Sequence, residues 1–141
     1  MENILGSTEL TVEKKHTAVN IGSGNVEVLA TPVLIALLEN AASQSVIPLL
    51  KEDETTVGSF ISVSHLAPTP ENLKVFAFSK LIDISPNQKE FTFQLEAYDE
   101  TGLIAKGEHK RIKLKKDKFK QKSKNKLFSD ARNSAPVPFN M

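Results

Sequence analysis

Hydrophobic positions divide the chain into one apolar helix and a series of alternating strands. From Ser7 to Lys15, Leu10 and Val12 alternate with Glu9 and Glu13, the pattern of a strand with one buried face. Gly22-Ser23-Gly24-Asn25 is a turn signal. Thr31-Pro32 then predicts a helix start, because a threonine cap accepts a free backbone N–H and a proline in the first turn needs no donor. The helix is expected from Pro32 to Ser45. Val33, Leu34, Ile35, Ala36, Leu37, Leu38, Ala41 and Ala42 wrap nearly all the way round it, so most of its sides must be covered. Pro48 supplies a stop.

After a charged loop, Lys51 to Thr55, four strands are expected. Val57 to His65 places Val57, Ser59, Ile61, Val63 and His65 on one face. Leu73 to Ile84 is long and apolar and ends at the turn Ser85-Pro86-Asn87. Phe91 to Tyr98 alternates most cleanly, with Phe91, Phe93, Leu95 and Ala97 opposite Thr92, Gln94, Glu96 and Tyr98. Asp99-Glu100-Thr101-Gly102 makes a hairpin connection to a last strand, Leu103 to Leu114. These four strands are expected to be antiparallel neighbours. The order predicts an α+β fold, one antiparallel sheet with one long helix to cover. A helix apolar on nearly all sides needs a second cover beyond that sheet, and in a chain of 141 residues a second copy of the chain is the expected one.

That length allows one domain. Residues 1–118 are read as that domain and 119–141, Lys-rich and then Asn133-Ser134-Ala135-Pro136-Val137-Pro138, as a basic, mobile tail. The formal net charge of +1 hides a split. Lys106 to Lys126 holds 11 of the 18 basic residues with only Glu108 and Asp117 as acids, a local net of +9 against −8 elsewhere. The split points to an anionic partner, either nucleic acid or a phosphate-bearing small molecule. The absence of cysteine excludes disulfides, thiolate metal sites and a cysteine nucleophile. His16, His65 and His109 lie far apart, without a helical metal-binding pair, so no metal is expected. The apolar stretch Val28 to Ala42 contains Glu39 and is short for a membrane span. The start Met-Glu-Asn-Ile lacks signal-peptide features, so a cytoplasmic location is expected.

Two residues break the apolar pattern. Glu39 sits in mid-helix, where a carboxylate must find partners or reach water. Thr31 lies eight residues earlier, a little over two turns, on roughly the same side. Either Thr31 is only a cap and Glu39 reaches solvent, or the two line one pocket. His65 continues the inward parity of Ile61 and Val63, as a satisfied core residue or as a functional one. Gly58, on the same strand, would let a ligand approach the backbone closely.

The segments ATPVLIALLENAA and VGSFISVSHLAPTPENLKV, taken together, resemble the fluoroacetyl-CoA thioesterase-like family of hot-dog-fold proteins. The family pattern is Ala-Thr at the start of the central helix, a Glu eight residues on, and a strand with Gly and then V-[ST]-H-x-A-x-TP. Here these are Ala30-Thr31, Glu39, Gly58 and Val63-Ser64-His65-Leu66-Ala67-Pro68-Thr69-Pro70. The match is close over residues 26–76 and looser through Ala97-Tyr98-Asp99 and Gly107-Glu108-His109-Lys110-Arg111.

The resemblance implies a sheet wrapped round one helix, and a homodimer, with pairing into tetramers left open, whose acyl-CoA sites lie at the subunit interface. It implies an acyl-CoA thioesterase with Thr31, Glu39 and His65 as the catalytic trio, Gly58 as the backbone contact for the thioester carbonyl and Arg111 near the pocket. No cofactor is implied, since CoA is part of the substrate. The family member specialised for fluoroacetyl-CoA is bulky and aromatic before the catalytic threonine. Here that segment is Gly22-Ser23-Gly24-Asn25, so the expected substrate is a short- or medium-chain acyl-CoA. The competing readings are a hot-dog protein that binds acyl-CoA without hydrolysing it, or handles a related thioester as a dehydratase, and, well behind, a nucleic-acid binder using Lys106 to Lys126. That tract contains Phe119 but no run of aromatics for base stacking.

Overall fold

The computed structural model describes residues 3–130 and 135–140. Met1 and Glu2, with Asn133 and Ser134 of the expected tail, lie outside the described residues. Five strands, β1 (Leu5–Thr11), β2 (Glu54–His65), β3 (Lys74–Ile84), β4 (Glu90–Asp99) and β5 (Gly102–Lys115), form one antiparallel sheet in the order β1-β3-β4-β5-β2. Among the described residues, three α-helices accompany them: α1 (Ala18–Ile21), α2 (Thr31–Ser45) and α3 (Lys116–Lys124). The expectation that β2 would neighbour β3 is not met. Its eight-residue link to β3, carrying Pro68 and Pro70, is no hairpin but crosses the end of the sheet, held by Leu29 N–H to Thr69 C=O and Asn72 N–H to Val12 C=O.

The inner face of β4 is the expected one, with Phe91, Phe93, Leu95 and Ala97 all buried. Above it lies α2, burying Leu34, Leu38, Ala41 and Ala42, a stripe at helical spacing. Gly6 lets the helix settle onto β1, because a Cβ there would strike the Ala41 carbonyl. With the turn Ile47–Leu49, the helical stretch Thr31–Leu49 runs 19 residues, longer than the segment first judged too short and, by length and composition, enough to cross a membrane. Its buried stripe packs on the sheet instead. Val33, Ile35 and Leu37 are only half-buried, so part of its apolar surface is left uncovered.

Strand β2 departs from the expected parity. Gly58 faces Arg111 and Phe60 faces Lys110, so Ser59 is an extra residue, a β-bulge. The bulge inverts the faces along the strand. Thr56 and Gly58, not Val57 and Ser59, share the inner face with Ile61, Val63 and His65. The sequence expected as a tail from 119 begins inside α3, which is followed by a turn, Asn125–Phe128.

Candidate active site

Thr31 is the first residue of α2, and Ala30, not Thr31, occupies the capping position. The threonine hydroxyl makes no capping bond, because His65, the last residue of β2, takes it: Oγ1 lies 2.7 Å from His65 Nδ1. Burial lowers the His65 pKa, opposed by the Ala67 backbone, so the ring is neutral at pH 7. Its Nε2 is covered, with no hydrogen-bond partner among the described residues. A cavity of about 290 Å³ opens beside the pair, lined by Ala18, Ser23, Val28, Leu29 and Ala67 among others. Next to the lining residue Pro68, Thr69 is anchored by the buried Asp99, which accepts hydrogen bonds from Thr69 Oγ1 at 2.8 Å and Thr101 Oγ1 at 2.7 Å.

Two turns further along α2, Glu39 lies over Gly58. A Cβ on Gly58 would sit 2.7 Å from Glu39 Oε2, so the missing side chain is what brings the carboxylate down onto the strand. The same oxygen is 3.8 Å from Arg111 Nη1 and 4.0 Å from His109 Nε2. The carboxylate remains 38% exposed, within reach of water, whereas the histidine and arginine side chains are 1% and 9% exposed.

His109 and Arg111 are fixed from below. His109 Nδ1 donates to the Phe60 carbonyl at 2.7 Å, which leaves the Nε2 lone pair to accept from Arg111 Nη1 at 3.1 Å. The imidazole stacks on Phe93, with ring centroids 6.0 Å apart. Burial lowers its pKa, the Phe60 carbonyl opposes this and the Arg111 charge adds to it, so it is a neutral acceptor at pH 7. Arg111 Nε donates to Thr56 Oγ1 at 2.8 Å and Nη2 to the Thr56 carbonyl at 3.0 Å. With Nε and Nη2 bonded to Thr56, the guanidinium turns Nη1 toward Glu39 as well as His109. Burial lowers the Arg111 pKa and Glu39 opposes it, and the group stays cationic.

All five sequence-derived residues are thus brought into two groups, but not into one pocket. Thr31 with His65 forms one, and Glu39 with Gly58 and Arg111 the other, which opens on a separate cavity of about 200 Å³. Eight helical residues separate Thr31 from Glu39, about 12 Å of rise. Of the two readings of Thr31 and Glu39, a common pocket therefore does not hold within one chain. His109 was passed over as a site residue. The signal for it was the two-residue period from Ala105, which puts residues 105, 109 and 111 on the buried face of β5.

Comparison with known proteins identifies the family and the fold. The family model described as FlK, fluoroacetyl-CoA-specific thioesterase, matches residues 12–117. The fluoroacetyl-CoA thioesterase of Streptantibioticus cattleyicolor is 30% identical over 100 residues, which cover 71% of this chain and 70% of that protein. A crystal structure of a point mutant of FlK superposes with a TM-score of 0.80 at 25% identity, covering 86% of this chain and 93% of that one. A Thermus thermophilus thioesterase-superfamily protein shares the fold, with a TM-score of 0.80 at 24% identity over 89% of this chain and 91% of its own. A hot-dog-like protein from Thermanaerovibrio acidaminovorans, 19% identical, does so with a TM-score of 0.77 over 86% and 89% of the two chains. The α+β sheet wrapped round one helix is a hot-dog fold, and the chain belongs to the FlK family of thioesterases.

Proposed function

We propose that this thioesterase hydrolyses short- or medium-chain acyl-CoA, with Thr31, Glu39 and His65 as catalytic residues and Gly58 and Arg111 as binding residues, in a homodimer whose active sites each draw on both subunits. The observation that carries the reading is the 2.7 Å bond between Thr31 and a neutral His65 beside an open cavity. Support for the dimer comes from the free edge of β2 and the half-covered face of α2. Two β2 edges paired antiparallel about an axis near Ile61 would carry the Gly58–Glu39 group of one subunit to the Thr31–His65 pair of the other.

In this reading Glu39 takes a proton from water as the water oxygen attacks the thioester carbonyl carbon. The Gly58 N–H stabilises the oxyanion, an effect worth on the order of 10²-fold. The C–S bond then breaks, and the proton reaches the departing sulfur through His65 and Thr31. A second reading, acylation of Thr31 itself, is favoured by its contact with His65 and would show as an acyl-enzyme mass in single turnover. Ala18, Ser23 and Val28 leave room beside Thr31 for an acyl group larger than fluoroacetyl, and that substrate is not carried over.

Mixing two inactive variants tests the composite site. Thiol release from an acyl-CoA panel should be negligible for H65A and for E39Q alone. A random mixture of the two should recover about a quarter of native activity, because half the dimers are mixed and each of those has one of its two sites intact. If one chain supplied all three residues, no mixed dimer would hold an intact site and nothing would be recovered.

The pH profile has a definite sign. A His65 pKa below the ordinary value of 6.5 keeps the ring neutral there, so the acid limb of kcat/KM should lie below pH 6.5 and change shape in H65Q. Stability follows from the same sign. The unfolded chain binds its protons at higher pH than the folded one, so His65 and His109 destabilise the fold progressively as pH falls through 6.5 toward their folded values. A stability curve flat from pH 7 to 5 would contradict this.

A further inference from the structure

The strongest unassigned feature lies where α3 meets the sheet. A cavity of about 420 Å³ is lined by Lys89 from the turn before β4, Lys113 and Lys115 from β5, and Lys118 and Lys122 from α3, around the ring of Phe119. Two of these lysines are partly neutralised, Lys115 by Asp53 at 2.9 Å and Lys113 by Glu54 at 4.0 Å. Among the described residues, Lys89, Lys118 and Lys122 have no carboxylate partner. Lys118 and Lys122 stand four apart on one helix, an arrangement that like charges disfavour and that an anion between them would relieve. Phe119 is 43% exposed beside them, so the cavity pairs several cations with an open aromatic face.

The position of this cavity is as informative as its charge. Residues 109, 111, 113 and 115 share one face of β5, the face that bears His109 and Arg111. Glu54, which also lines the cavity, lies on β2 opposite Lys115, and Gly58 lies opposite Arg111. Four strand residues, about 13 Å, therefore separate the Gly58–Glu39 group from the far wall of the lysine cavity. A pantetheine arm is longer than that.

We propose that the cavity between β5 and α3 binds the phosphorylated nucleotide end of the CoA thioester, its phosphates on Lys89, Lys118 and Lys122 and its adenine against Phe119. This rests on the hydrolase reading above for its substrate, but the nucleotide pocket can be tested without turnover. The probe is adenosine 3′,5′-bisphosphate, titrated calorimetrically into the full-length native protein and into the double variant K118A/K122A. The variant should bind it about tenfold more weakly, the loss expected for two exposed charge contacts. In thiol-release assays, the native preference for butyryl-CoA over butyryl-pantetheine should fall by a similar factor in the variant, and K89A should reduce it in the same direction.

An unchanged bisphosphate affinity in the variant overturns the proposal, as does an unchanged preference between the two thioesters. Binding of duplex DNA that is lost in K118A/K122A while the bisphosphate binds equally to both proteins overturns it in favour of nucleic acid. Native protein that binds the bisphosphate as expected yet releases no thiol supports the pocket and sinks the hydrolase reading.

Discussion

The conservative variant E39Q should release thiol from acyl-CoA 10²- to 10⁴-fold more slowly than the native enzyme, the range for loss of a positioned general base. The amide keeps the size and polar contacts of the carboxylate and takes no proton from water. Glu39 lies over Gly58 and faces one nitrogen of a buried guanidinium, so the glutamine side chain fits the same space. Its folded structure should therefore persist, with circular dichroism and unfolding midpoint close to native. The loss should appear in kcat, because a group that acts on water in the transition state contributes little to ground-state binding. Turnover within threefold of native would remove Glu39 from the mechanism.

The second large effect is expected from R111M. Arg111 is 8% exposed and gives three hydrogen bonds, two to Thr56 and one to His109, while presenting Nη1 to Glu39. Methionine matches the length of the stem and supplies none of these donors. The Thr56 hydroxyl and the His109 Nε2 lone pair would be left buried without partners. Stranding such groups costs about 1–3 kcal/mol each, partly offset by burying a thioether in place of a charge, so a net loss of roughly 2–4 kcal/mol is expected. The ion pair with Glu39 adds little to this sum, because the carboxylate is more than a third exposed. Denaturant titration should show a lower midpoint at unchanged slope, and activity should fall even where the variant is fully folded, since Glu39 loses the cation that orients it. A midpoint equal to the native one would show that the clamp carries no stability.

The regular parts of the fold were legible in the sequence because one rule governed each. On β4, alternation alone assigned Phe91, Phe93, Leu95 and Ala97 to the core, and all four are buried. On α2, the apolar surround identified the central helix and made Glu39 conspicuous. Strand β2 was misread because Val57, Ser59, Ile61, Val63 and His65 form an unbroken alternation, while the ladder shifts by one residue at Ser59. A bulge is set by pairing with β5, and a single strand's pattern does not contain it. Thr31 looked like a cap because its neighbour is proline; the partner its hydroxyl takes instead, His65, is 34 residues away in sequence. His109 was overlooked inside a lysine-rich stretch, where its charge type hid its parity. Arg111 lies in the same basic run, and only the resemblance set it near the pocket. The grouping of site residues into two clusters followed from distances along the helix and across the bulge, neither of which local composition reports.

The extra residue at Ser59 also limits how the sheet can grow. An edge strand can slide along its neighbour in steps of one pleat, and its open side can recruit further strands. Neither slide nor open-ended recruitment suits β2. A shift of register would move the kink away from Arg111, and a shift by one residue would also turn Thr56 and Gly58 off the buried face. A newcomer strand, in turn, meets an edge whose two halves are out of phase. A copy with its own kink, related by a two-fold axis, complements that edge in one alignment, whereas a regular β-strand has no such match. In the proposed dimer the bulge would therefore work as a key that favours closed pairing over fibre-like addition.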